Sequence, residues 1–157
     1  MRSPRATSVL LVTSLVLAAL VVGSPSPAAG GSGTVQQVTT TSDVVDAGDG
    51  LVSLREALSS VSANGGGVVH LVPDAEHVLT RCGGADDTNA QGDLDVDLNG
   101  GRLDLEGHGG TVRQTCSGER VLELFDGIDG ELRDVTITGG DAGGGDPNGG
   151  GVSAAVS

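Results

Sequence analysis

The chain of 157 residues holds 8 basic and 21 acidic residues for a net charge of −13, with 28 glycines and a single aromatic among Phe, Trp and Tyr, Phe125. Every base is an arginine, and such an acidic surplus argues against nucleic acid or anionic lipid as a partner, because both need a positive protein face. Any core must be built from Val, Leu, Ile and Ala, and the flat rings on which sugars and bases stack are missing.

Arg2 and Arg5 precede a largely apolar run from Val9 to Val22, followed by small residues and prolines from Gly23 to Gly30. This order is that of a secretory signal peptide, expected over residues 1–29 with cleavage near Ala28. The run is shorter than the about 20 residues a bilayer span needs, so no membrane span is expected after cleavage and the product is expected to be secreted. The remaining chain would carry 6 arginines against 21 acids. Residues 30–37 are small, polar and aperiodic and read as a flexible leader.

Residues 38–64 read as an N-terminal strand and a capping helix. Val38-Thr39-Thr40-Thr41 is β-branched and strand-like, and Asp43 to Gly50 is rich in turn formers. Ser53 and Glu56 then stand in the spacing of a capping box, with Leu54, Ala57, Leu58 and Val61 on one face of the helix that follows. Asn64 to Gly67 ends it.

Residues 65–140 read as short strands between glycine turns: Val68 to Val72, His77 to Thr80, Asp93 to Leu98, Arg102 to Glu106, Thr111 to Gln114, Val121 to Phe125 and Leu132 to Thr138. Within Asp93 to Leu98, Leu94, Val96 and Leu98 alternate with Asp93, Asp95 and Asp97, which predicts the three aliphatic residues on one face and the aspartates on the other. The pattern Leu103-Asp104-Leu105-Glu106-Gly107 echoes Val135-Thr136-Ile137-Thr138-Gly139. Residues 141–157 read as a glycine-rich tail or the start of a missing coil. Cys82 and Cys116 match no metal pattern and, in an oxidising compartment, are expected to form a disulfide.

Four stretches together resemble the secreted bacterial proteins named for a CSLREA motif: Val38 to Thr41, Asp46 to Leu58 with Ser53-Leu54-Arg55-Glu56-Ala57, Gly92 to Val96, and Leu132 to Gly140. The cysteine of that motif is Val52 here. The resemblance implies a right-handed parallel β-helix of the pectate-lyase-like superfamily, with the helix as lid on the first coil. The expected fold is therefore all-β, a right-handed parallel β-helix of about two to three coils with a short N-terminal capping α-helix, truncated relative to its relatives. An open C-terminal edge would favour self-association.

The chemistry on offer is sparse. Asp93, Asp95 and Asp97 on one side of a strand could hold Ca²⁺ in an oxygen cage, the alternative being a solvated acidic face. No other cofactor is expected. Arg55 reads as structural, and His70, His77 and His108 lack metal-ligand spacing and read as surface or hydrogen-bonded residues. Asp141, Asp146 and Asn148 fail the spacing of calcium-binding nonapeptides, and no catalytic triad can be assembled. The leading expectation is a secreted, non-enzymatic module of a cell-surface or adhesin-like protein, with a carbohydrate or cell-surface partner. The alternative is an incomplete calcium-assisted polysaccharide lyase.

Overall fold

The computed structural model describes residues 33–83, 86–125, 127–141 and 150–154. The first element, β1 (Thr34–Gln37), pairs in parallel with β2 (Gly67–His70) in the register Thr34↔Gly67 to Gln37↔His70. Two parallel strands cannot be joined by a tight turn, and the crossover here is α1 (Leu54–Ala63). Ser53 starts it with a complete capping box: its hydroxyl accepts the Glu56 amide at 3.2 Å, and Glu56 accepts the Ser53 amide at 2.8 Å. Asn64 closes it, its amide returning to the Ser60 and Val61 carbonyls. Leu54, Ala57, Leu58 and Val61 form the buried stripe that the helical spacing requires.

The remaining strands are β3 (Glu76–Leu79), β4 (Leu94–Val96), β5 (Arg102–Gln114), β6 (Leu122–Leu124), β7 (Asp129–Thr138) and β8 (Val152–Ala154). They form two separate sheets in which every described pairing is parallel. In the first, β5 is the common spine: its early half pairs with β2, its late half with β3, and β7 follows it from Arg102 to Arg113. The second sheet has the order β4-β6-β8. One aliphatic core unites both, with Val69, Leu71, Leu103, Leu105 and Val112 from the first region, Leu94, Val96, Leu122 and Leu124 from the second, and the helix stripe between.

The spine bends at Gly107 to Gly110, where the register with β7 shifts. Gly107 lies so close to β7 that a Cβ there would stand 2.3 Å from the Asp134 carbonyl oxygen. His108, the next residue, takes the left-handed conformation at φ 51°, and its carbonyl accepts the Asp74 amide at 3.1 Å. This bend places the His108 side chain beside β2.

The architecture corrects the expected all-β right-handed parallel β-helix with an N-terminal capping helix. The fold is mixed α/β: α1 lies mid-chain as the crossover of a β1-α1-β2 unit and packs on β1, β2 and β4, and the two parallel sheets remain separate. The difference starts at Thr34–Gln37, expected as part of a flexible leader. Backbone pairing with β2 makes it an edge strand despite its polar side chains, and the strand expected at Val38 to Thr41 lies outside the ladder. Arg102 to Glu106 and Thr111 to Gln114, expected as two strands, are one bent strand. Val152–Ala154, within the expected tail, pairs with β6. The signal-peptide run, Asp146 and Asn148 fall outside the described residues.

The Cys82–Cys116 disulfide is present and ties the segment after β3 to the segment after β5. Arg55 is fully buried, and its guanidinium donates to Asp43, to the Gly92 carbonyl at 2.6 Å and to the Asp93 carbonyl at 3.1 Å. Asp43 in turn accepts the Thr80 and Arg81 amides at 2.6 and 2.8 Å. The single pair therefore pins the helix, the end of β3 and the entry to β4. Among the described residues, no helix is long and apolar enough to cross a membrane.

Candidate metal centres

The entry to β4 leads directly to an acidic cluster. Asp95 and Glu123 are register partners across β4 and β6, and Asp93 lies just ahead of β4. One carboxylate oxygen from each of the three lies within 4.8 Å of the others. Asp95 was expected on an outer face, yet it is only 4% exposed, because the segment from Asp86 to Gln91 folds over the open edge of β4. Asn89 makes that cover by acting as a substitute strand: its Oδ1 accepts the Asp95 amide at 2.8 Å and its Nδ2 donates to the Asp95 carbonyl at 2.6 Å. Asn89 adopts φ 60°, a conformation that asparagine tolerates better than most residues. Asp86 holds the cover in shape by accepting the Thr88 and Gln91 amides at 3.2 and 2.8 Å, and the Thr88 hydroxyl on it keeps its carboxyl below the ordinary carboxylate range.

The backbone of Asp95 is thereby satisfied while its side chain is not. Its Oδ2 is buried without a hydrogen-bond partner, a costly state for a carboxylate. Burial, joined by the negative charges of Asp93, Glu123, Asp87 and Asp86, pushes the Asp95 carboxyl up to about 7. The surrounding counter-charge is modest: Arg120 donates to Glu123 at 2.8 Å. Three carboxylates against this one guanidinium leave an excess of negative charge, which a cation that takes oxygen ligands would offset.

Asp97, the third member of the expected triplet, is not brought into the cluster. It is exposed and accepts the Asn99 amide at 3.1 Å, the role of a turn residue. Glu123 is the cluster member that no pattern in the Asp93 to Leu98 segment announces. Its signal was the match between Leu94-Asp95-Val96 and Leu122-Glu123-Leu124, two apolar-acid-apolar triplets that stack in register.

A second cluster lies on the first sheet. His70 and Glu106 are register partners on β2 and β5, and the bend at Gly107 returns His108 to the same place. His70 Nδ1 and His108 Nε2 are 3.1 Å apart, and Glu106 Oε2 lies 3.2 Å from the first and 3.9 Å from the second. The two rings stack at 20° between planes. The 38 residues that separate the histidines in sequence hide this meeting. His77 stands apart from them: it is buried, its Nε2 has no partner in the structure, and burial lowers its pKa.

No family model, no curated protein and no solved structure matches the chain. What its geometry offers is therefore the two clusters themselves, either of which could coordinate a metal ion.

Proposed function

We propose that the chain is a secreted, non-enzymatic module with a structural or interaction role at a cell surface, and that Asp93, Asp95 and Glu123 complete its fold by holding Ca²⁺. The observation that carries this reading is the buried Asp95 Oδ2, which has no hydrogen-bond partner, on a residue clustered with two other carboxylates. Three carboxylates make an all-oxygen, hard donor set, which suits Ca²⁺ or Mg²⁺ better than softer ions, and water can fill the remaining positions. Sites with so few protein ligands suit the millimolar calcium found outside cells, where extracellular modules bind in the range of about 10⁻⁴ to 10⁻³ M.

Secretion is supported by the N-terminal pattern of Arg2, Arg5 and Val9 to Val22, and by a disulfide of the kind that persists in oxidising compartments. A non-enzymatic role is supported by the separation of this cluster from the cleft. A cleft of about 320 Å³ does exist, but it is lined by Gly33, Asn64 to Val68, Gly101, Arg102 and Asp104, none of which belongs to the cluster. The calcium-assisted lyase alternative needs a basic proton acceptor beside the cation, and Arg120 there is ion-paired to Glu123.

The test is thermal unfolding of the disulfide-intact chain with millimolar Ca²⁺ and with a chelator, repeated on Asp95→Asn and Glu123→Gln. Calcium should raise the melting temperature of the native chain and leave both variants unmoved. Equal behaviour of native chain and variants would remove the calcium reading.

A further inference from the structure

We infer that His70, Glu106 and His108 form a separate binding site for a borderline transition-metal ion, Zn²⁺ or its close analogues, with one coordination position open to solvent. Tetrahedral zinc with Zn–N and Zn–O bonds of about 2.0–2.2 Å sets its ligand atoms roughly 3.3–3.5 Å from one another. The three facing atoms here are 3.1, 3.2 and 3.9 Å apart. They already approximate one face of such a tetrahedron, and a small rotation of His108 would shorten the long edge.

The backbone places the set rather than chance side-chain reach. His70 and Glu106 sit opposite each other in the β2–β5 ladder, and His108 is held at the spine's bend by its left-handed backbone and by the Asp74 amide on its carbonyl. Glu106 is also gripped from its far side, since Arg133 donates to its Oε1 at 3.3 Å, leaving Oε2 turned toward the imidazoles. Such an outer contact orients a ligating carboxylate and typically contributes a factor of about 10–100 in metal affinity. Two imidazole nitrogens and one carboxylate oxygen select zinc, copper, nickel or cobalt over calcium and magnesium. The side chains of His70, Glu106 and His108 are 27, 31 and 42% exposed, so an ion can enter and water can occupy the fourth position. This site lies on the first sheet and does not depend on the acidic cluster of the second.

The experiment is calorimetric titration of the metal-free chain with Zn²⁺ alone, paired with Co²⁺ absorption as a reporter of four-coordinate geometry. The native chain should take up one Zn²⁺ and give the intense visible bands of tetrahedral Co²⁺. His70→Ala and His108→Asn, the latter chosen because asparagine also tolerates the left-handed backbone, should each weaken binding by more than about tenfold. Arg133→Ala should weaken it by about tenfold. Asp95→Asn should leave it unchanged, which separates this site from the calcium reading. Zinc uptake that persists at native affinity in both histidine variants, or no uptake by the native chain, would overturn the assignment.

Discussion

Removing the Arg55 guanidinium should be among the most damaging single changes in the chain. The side chain is fully buried, and its partner Asp43 has a side chain only 3% exposed. In Arg55→Ala, Asp43 keeps the Thr80 and Arg81 amides but loses its counter-charge, the Asp93 carbonyl loses its Arg55 donor, and the Gly92 carbonyl is left with the longer bond from Gln114 Nε2 at 3.3 Å. Breaking a buried ion pair from one side costs about 3–5 kcal/mol, a large share of the about 5–15 kcal/mol that stabilises a typical domain. For a chain of this size the melting temperature should fall by roughly 10–20 °C. Arg55→Lys retains the charge without the planar fork and should lose less, about 1–3 kcal/mol. Urea unfolding followed by circular dichroism reads the effect, since the chain has no tryptophan. A double-mutant cycle with Asp43→Asn should show strong coupling. A loss below about 1 kcal/mol for Arg55→Ala, or additivity with Asp43→Asn, would refute the role given to this pair.

Three further outcomes follow from the same contacts. In a chelator, Asp95 holds its proton up to about 7 in the folded chain, against an ordinary value of 3.8. The native state then binds more protons than the unfolded state between those limits, so Asp95 contributes stability that is complete at low pH and lost as pH rises through 7. The loss amounts to about 4 kcal/mol at 1.36 kcal/mol per pH unit, and the stability gap between the native chain and Asp95→Asn should track it; a gap independent of pH would contradict the buried carboxylate. Reducing Cys82–Cys116, which closes a sequence separation of 34, should cost roughly 3–4 kcal/mol in chemical denaturation. Ser53→Ala removes the acceptor of the Glu56 amide and the donor to the Val44 carbonyl at 2.6 Å, and should cost about 1–2 kcal/mol by thermal melting; Glu56→Gln should cost a similar amount, because Glu56 accepts the Ser53 and Asp46 amides on separate oxygens and glutamine offers only one.

The local chemistry of this fold was readable because it is written in adjacent residues. The capping box needs only Ser53 and Glu56 three positions apart, the helix stripe only its period, and the disulfide only two cysteines without a metal pattern. What failed to show was pairing across distance. Thr34–Gln37 looks like linker because its side chains are polar, and its strand identity comes from backbone bonds to β2 that no side chain announces. Once that strand precedes α1, the helix is a crossover rather than a terminal lid, and the fold class changes with it. The acidic site was half legible: alternation placed Asp93 and Asp95 together, but it also placed Asp97 with them and set all three in water. Asn89, reaching back over β4, reversed the burial of Asp95, and the β4–β6 register brought in Glu123. The histidine cluster left no local signal, since it arises from a strand pairing and a bend at Gly107.

Calcium binding at the Asp93–Asp95–Glu123 cluster is read by calorimetric titration of the metal-free chain with Ca²⁺ above pH 7, where Asp95 is ionised. One Ca²⁺ should bind per chain, and binding should be abolished by Asp95→Asn and by Glu123→Gln while Asp97→Asn leaves it intact. Binding that survives both substitutions, or no heat at millimolar Ca²⁺, would contradict a calcium site at this cluster.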